Sequence, residues 1–403
     1  MNRQHIKLLL REQECIVYLD SYTKAGDGIV DAYIDFRQTK DLAMFRQIAE
    51  LPENAGTYIE LQSLKSAKRL MRGCYYRLNL DMLKSLSFTR TEGSLLIGGS
   101  YNLSKMKMPS DDDTELLQHH GPLESDDLRQ RNVPQELPML FSATDDMLLY
   151  VKDVDQANWN ELRCGNRVVI LYDAGAKLSA SAAEVASIFE SRRADLEASK
   201  PILVISHWDK DHIHCLKLIT QTEIPKFFSK LICVDKMQTV TSAGIYEKFL
   251  KSLGKKNVYC MSPAARTNGI DMHHWKNMGC ISLYLGEQSR NINYCGLIMF
   301  VKGTSKSANY TGDCRLTQAK SVYDQEQAIA TGTNGHILIA PHHGGDYGAA
   351  FRHYSIPCDE IAISVGANNG YGHPQEHMLR YLHSLCSGRV KRTDEVGDVL
   401  IDL

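Results

Sequence analysis

The chain has no CxxC pair, no long apolar run and no excess of charge of either sign, and each absence removes a class of protein. Its eleven cysteines are odd in number and scattered singly from Cys15 to Cys386. That pattern argues against a disulfide framework and against a cysteine zinc site, and it fits reduced thiols in the cytoplasm. No stretch approaches the roughly eighteen apolar residues of a membrane span. Leu8-Leu9-Leu10, before Arg11 and Glu12, is too short for the apolar region of a signal peptide. A soluble, cytoplasmic protein without membrane association is expected. The formal net charge is −2, so a polyanion would have to be held by a local patch or by metal ions rather than by the overall field. Gly98-Gly99 lacks both the spacing of a GxGxxG or Walker loop and a following helix, which argues against a nucleotide site there.

What is present is enough chain for more than one core: 403 residues with 43% hydrophobic content. From Met108 to Pro138 the sequence turns polar and acidic, with Ser110-Asp111-Asp112-Asp113, His119-His120-Gly121-Pro122, Asp126-Asp127 and four prolines. This stretch reads as a linker. It separates an N-terminal α+β domain (1–107) from a C-terminal domain (139–403). In the first, Cys15 to Leu19 reads as a strand, while Thr39 to Ala49 and Gln62 to Arg72 read as helices. Lys65, Lys68, Arg69 and Arg72 recur at helical spacing, either as a solvated face or as a weak phosphate-binding one. In the second, strand-like runs such as Val168–Tyr172, Ile202–Ile205, Leu297–Val301, Ile337–Ile339 and Ile361–Val365 alternate with helical stretches at Ala182–Ala198 and Gln375–Leu385. Alternation of this kind predicts a layered α/β domain.

Several of these runs end in residues that bind metals or move protons. Ile170-Leu171-Tyr172 leads to Asp173-Ala174-Gly175, and Ile202 to Ser206 leads to His207-Trp208-Asp209-Lys210-Asp211-His212. Tyr310-Thr311 leads to Gly312-Asp313, Ala340-Pro341 to His342-His343-Gly344-Gly345, and Ile361–Val365 to Asn368-Asn369-Gly370-Tyr371-Gly372-His373-Pro374. Nitrogen and oxygen ligands concentrated at strand ends suit a divalent hydrolytic metal. The hexapeptide alone reads equally well as a solvated loop opening a helix, with Asp211 as its N-cap. Asp173 reads either as a group orienting a ligand histidine or as a plain turn residue with Gly175. His273-His274, with no strand close before them, read as surface histidines, as do His119-His120.

The order of these motifs resembles the metallo-β-lactamase-like hydrolases, and more narrowly the soluble hydrolase domain of ComEC-type DNA-uptake proteins. The residues that carry the resemblance are Ser206-His207-x-Asp209-x-Asp211-His212, Thr311-Gly312-Asp313, Pro341-His342-His343-Gly344, Ile363-Ser364-Val365-Gly366 with Tyr371-Gly372-His373-Pro374, and Arg392-Thr393-Asp394 with Gly397. Asp153-Val154-Asp155-Gln156-Ala157-Asn158 is a looser echo of the family's DVGQGD opening. Two departures stand out: the family's hexapeptide is usually followed by two small residues, whereas His214-Cys215 stand close behind it here, and the opening motif has lost its glycines, which puts the role of its final residue, here Asn158, in question. The family's membrane portion is absent from this sequence, so transport does not carry over.

The resemblance implies a metallo-β-lactamase-like αββα sandwich following the small α+β domain. It implies two divalent ions, Zn2+ or Mn2+: His207 and Asp209 on one, Asp211 and His212 on the other, Asp313 bridging and His373 completing the second set. Asp209, standing where histidine is more common, makes the first set richer in oxygen, so manganese is as plausible as zinc. Asp211, His342 and His343 are the catalytic candidates, with one of the two histidines protonating the leaving oxygen; the alternative is that one of that pair, rather than His373, ligates the metal. The expected activity is that of a binuclear phosphodiesterase, with nucleic acid as substrate and a shared hydroxide as nucleophile. Two alternatives stay open: a hydrolase of a different ester, and an effector subunit whose N-terminal domain binds a protein partner.

Overall fold

The computed structural model describes residues 14–26, 29–48, 58–65, 73–79, 87–91, 94–98, 101–102, 146–265, 271–289, 291–329, 335–345 and 355–403. The acidic stretch 108–138, with both boundaries expected beside it, lies outside them, as does most of the basic series from Lys65 to Arg72. By its contacts the chain divides into two units. One comprises Met1–Gln130 with Ser181–Ala183 and Met237–Glu247, the other Arg131–Ala180, Glu184–Lys236 and Lys248–Leu403.

The first unit is built on a mixed sheet of β1 (Glu14–Gly26), β2 (Ile29–Phe36), β3 (Tyr58–Lys65), β4 (Cys74–Asn79), β5 (Ser87–Thr91), β6 (Ser94–Gly98) and β7 (Tyr101–Asn102). Its order is β4-β1-β2-β3-β6-β5, with β7 also beside β3. Helix α1 (Thr39–Ile48) supplies Phe45, whose ring lies 5.1 Å from that of Phe36 on β2. The helix expected from Gln62 is not formed at its start, because Gln62 to Lys65 end β3. Ladder bonds to β2 on one side and to β6 and β7 on the other outweigh the helical spacing of the charges.

The second unit packs two sheets face to face. The first holds β8 (Met147–Val151), β9 (Asn160–Cys164), β10 (Arg167–Tyr172), β11 (Ile202–Val204), β12 (Lys230–Val234), β13 (Val258–Met261) and the last strand, β21 (Val399–Asp402), in the order β13-β12-β11-β10-β9-β8-β21. The second runs β14 (Met272–Asn277), β15 (Ile281–Gly286), β16 (Leu297–Lys302), β17 (Lys306–Tyr310), β18 (Gly335–Ile339), β19 (Cys358–Ile363) and β20 (Cys386–Arg392), in sequence order. Strand alternation decides what each face buries. Ile170, Tyr172, Val204 and Ile232 of one sheet join Leu283, Met299, Ala308 and Ile339 of the other in a single inner core.

The remaining faces are covered by helices. On the first sheet, Phe189 of α2 (Ala182–Ser199) lies 6.4 Å from Trp159 and 5.0 Å from Phe227. The short α3 (Lys210–Ile213) follows β11, and Phe249 of α4 (Val240–Leu253) packs 5.6 Å from Phe228. On the second sheet, Leu316, Ala319 and Val322 of α5 (Leu316–Ile329) and Met378 and Leu382 of α6 (Glu376–Leu385) bury against Leu338, Ile361 and Ile363. Each fully buried Leu, Val, Ile or Met side chain among these contributes about 1.5 to 3 kcal/mol of transfer free energy. The result is the αββα sandwich that the motif order implies. No helix among the described residues is long and apolar enough to cross a membrane.

Candidate metal centre

The candidate ligands gather because their strands point the same way. β10, β11 and β12 are parallel to one another, as are β17, β18 and β19. Asp173 leaves the C-terminal end of β10, the hexapeptide that of β11, Asp313 that of β17, His342-His343 that of β18 and His373 that of β19. Two glycines allow the approach. A Cβ on Gly175 would lie 1.7 Å from the Asp211 carbonyl oxygen, and one on Gly312, whose φ is +52°, would lie 2.6 Å from Ser206 Oγ.

One buried carboxylate organises the first half of the site. Asp173 accepts the Ser206 amide at 2.7 Å and the Ser206 hydroxyl at 2.8 Å, and His212 Nδ1 lies 2.8 Å from its Oδ2. With the hydroxyl proton directed to Asp173, Ser206 Oγ is left to accept from His207 Nδ1 at 3.1 Å. Both imidazoles therefore spend Nδ1–H on this network and turn the Nε2 lone pair the other way. His212 Nε2 faces Asp313 Oδ1 at 3.2 Å and Asp211 Oδ1 at 3.8 Å, and His207 Nε2 faces Asp209 Oδ2 at 3.4 Å and Asp313 Oδ2 at 4.0 Å. Asp173 is thus far more than a turn residue, although its own φ is +62°. Asp211 does not cap a helix: the N-cap position of α3 is Asp209, without a side-chain cap bond.

The second half is held by its backbone. His342 and His343 both adopt left-handed conformations, with φ of 50° and 54°, in the turn Pro341–Gly344. For residues with a Cβ this stores strain that only a well-determined surrounding maintains. His343 Nδ1 donates to the Ser364 carbonyl at 2.7 Å, which leaves Nε2 facing Asp211 Oδ2 at 3.4 Å and Asp313 Oδ1 at 3.8 Å. His342 Nε2 lies 3.7 Å from Asp313 Oδ2. Asp313 therefore stands between two groups: Oδ1 meets His212 and His343, and Oδ2 meets His207 and His342.

Three atoms at this junction, His207 Nε2, His343 Nε2 and Asp313 Oδ1, are buried without a hydrogen bond. Leaving a buried polar atom unpaired costs about 1–3 kcal/mol, and a cation among them satisfies all three at once. Asp211, His212, Asp313 and His343 each offer a ligand atom within 4.8 Å of the others. A set of imidazole nitrogens and carboxylate oxygens without thiolate fits a divalent ion of borderline to hard character.

The electrostatics of the bare cluster agree with this. Burial pushes the Asp211 carboxyl up, but His212 and His343 outweigh it and bring the pKa down to about 2. Burial likewise raises Asp313, yet His342 and His212 hold it well below the usual carboxylate range. Desolvation works against a proton on His212 and His343, but Asp313, Asp173 and Asp211 raise the first well above an ordinary histidine, and Asp211 and Asp313 raise the second. In the metal-free cluster, protons sit where a metal would bind.

Of the residues predicted from sequence, His207, Asp209, Asp211, His212, Asp313, His342 and His343 converge. His373 is outside the four-residue group: its ring lies 5.4 Å from that of His342, edge to face, and Gln156 Nε2 reaches its Nδ1 at 3.3 Å. His214 is buried, its Nδ1 3.3 Å from the Lys177 carbonyl, and burial pushes its pKa well down. His273 and His274 lie on β14 itself, with His274 exposed and His273 3.2 Å from Glu287.

Some contributors were not legible as site residues. Asn158 places Nδ2 3.3 Å from the His212 ring and donates its amide to the Asp211 carbonyl, so the degenerate opening motif still braces the site. Asn293 Nδ2 reaches Asp313 Oδ2 at 3.4 Å from a loop that no motif marks.

No protein-family model and none of the curated proteins matches the sequence. Among solved structures, the chain is similar to the short form of human tRNase Z, at 10% identity, over 61% of this chain and 91% of that one, with a TM-score of 0.31. An overlap that loose carries no inference about chemistry.

Proposed function

We propose that this protein is a metal-dependent hydrolase that cleaves phosphodiester bonds in nucleic acid. The observation that carries the metal is the convergence of three imidazoles whose Nδ1–H groups are all engaged elsewhere, around the two oxygens of Asp313. His207, Asp209 and Asp313 would hold one ion; Asp211, His212, His343 and Asp313 would hold the other. Divalent ions at this junction would supply Lewis acidity, activating water and neutralising charge on a phosphoryl oxygen.

The remaining roles fall to the chain itself. Asp173 and Ser206 lock the tautomers of His207 and His212, so that neither ring turns its N–H towards the ions. Ser364 does the same for His343. His342 is partly exposed and 3.7 Å from Asp313, with His373 against its ring, and it is placed to pass a proton to a leaving oxygen. Gln156 orients His373 from the neighbouring loop. The phosphodiester specificity rests on the motif order from Ser206 to Asp394, because a donor set of this kind also serves other esters.

The test uses full-length protein reconstituted with Mn2+ or Zn2+, metal content measured alongside cleavage of single-stranded DNA, RNA and a bis-aryl phosphodiester. The expected result is bound metal and turnover of at least one substrate, both abolished in an Asp211→Ala, His212→Ala variant. Equal turnover in both proteins, or none with metal bound, would falsify the proposal.

A further inference from the structure

Beside the metal centre stands a second construction that its ligands do not use. The guanidinium of Arg315 lies over the ring of Tyr294, its Cζ 3.5 Å from the ring centroid, a separation that fits stacking. Arg315 is exposed, and its guanidinium makes no ion pair with any described residue. This sets it apart from Arg163, Arg192, Arg193, Arg380 and Arg392, each of which is held by a carboxylate.

The stack is built rather than incidental. Gln318 is 4% exposed, and its amide clasps both partners by their backbones. Nε2 donates to the Tyr294 carbonyl at 2.9 Å and Oε1 accepts the Arg315 amide at 2.9 Å. The same loop is tied to the centre, since Asn293, next to Tyr294, donates to Asp313 Oδ2, and Arg315 follows Asp313 by two residues. A guanidinium stacked on an aromatic face keeps its N–H donors directed outward in its plane, the geometry that grips a phosphate bidentately. Ordering it beforehand lowers the entropy lost on binding.

We infer that Arg315, held on Tyr294 by Gln318, is a phosphate clamp for a polynucleotide. It would grip a phosphodiester next to the one presented to the metal centre. This rests on the nucleic-acid reading of that centre and deepens it, because it calls for a substrate with at least two consecutive phosphates. Arg315 acts here in binding and positioning, without touching the reacting atoms.

The test measures binding and cleavage separately on the full chain, using a fluorescein-labelled single-stranded oligonucleotide. Arg315→Ala is expected to weaken binding by fluorescence anisotropy about tenfold, the scale of one charge-assisted bidentate contact. It should also flatten the dependence of log Kd on log salt by about 0.7, the share of one phosphate on a single strand. Arg315→Lys, which keeps the charge but loses the fork and the stack, should fall between. In the cleavage assay the loss should appear in KM, with kcat retained.

Arg315→Ala binding the oligonucleotide as tightly as the parent, with an unchanged salt slope, overturns the clamp, whatever the melting temperatures show. A lower melting temperature with unchanged binding would identify the stack as structural only. Oligonucleotide binding that depends on Arg315 in a protein that cuts no phosphodiester supports the clamp while removing the hydrolase reading, so the two failures are distinguishable.

Discussion

The two halves of the candidate metal centre solve one problem by different means. Around His207 and His212 the imidazoles are aimed by side chains, through the Asp173–Ser206 network at 2.7 to 3.1 Å. At His342 and His343 aiming falls to the backbone, through two successive left-handed residues and the Ser364 carbonyl. A side-chain network can be dismantled one hydrogen bond at a time, whereas a backbone turn is lost or kept as a unit. The first half should therefore respond to the chemistry of its neighbours, and the second to the conformational freedom of the residue in place.

The change that disturbs both halves most is Asp313→Ala, because Asp313 faces two histidines of each half, whereas Asp211 faces one. Metal content should fall and kcat should drop on the order of a thousandfold, the several kcal/mol that metal ions contribute to such reactions. Metal content unchanged in this variant, measured by elemental analysis, would show that the two halves do not depend on the shared carboxylate.

Asp173→Asn should act on the first half only. The amide replaces one of the two acceptor oxygens that serve three donors from Ser206 and His212 with an NH2 group, so metal affinity should fall about 10- to 100-fold while the fold persists, as a chelator competition would show. For the second half the discriminating pair is His342→Val and His342→Asn. A β-branched residue at φ 50° should cost about 1–2 kcal/mol in denaturant unfolding, and asparagine, which tolerates that region, much less. Equal losses in the two variants would show that the side chain, rather than the backbone, holds the turn.

The smallest effect is a pH dependence of the metal-free protein, and its sign is fixed by direction. His212 and His343 titrate above the ordinary 6.5 when folded. Their stabilisation is therefore fully present below 6.5 and is lost as pH rises through the shifted values. Asp211, brought down to about 2 from 3.8, adds stability that is present above 3.8 and lost as pH falls through 2. Metal competes with the histidine protons, so its affinity should rise with pH above 6.5. Melting curves of chelated and reconstituted protein across this range check both signs; chelated protein that gains stability above pH 6.5 would contradict the assigned ion pairs.

Much of this cluster's convergence was legible in the chain because residues placed after successive parallel strands share an edge whatever the details of packing. Hence the hexapeptide, Asp313 and His342-His343 could be named from runs and their endings alone. That His343 and not His373 falls in the four-residue group was not legible, since it depends on how the turn at Pro341–Gly344 aims its rings. The role of Asp173 stayed open for a similar reason: its partners are 33 and 39 residues away. From Gln62 to Lys65, two-sided strand pairing overrides a charge spacing that would suit a helix.

Local order along the chain determined the layered α/β class, the strand ends and the chemical types gathered there, because hydrophobic alternation and donor identity are properties of neighbouring residues. Which lone pairs face inward, which atoms of Asp313 meet which histidines, and the bond from Gln318 to Tyr294 were decided by tertiary structure alone. These depend on distances between segments remote in sequence, and close packing of the two sheets sets those distances.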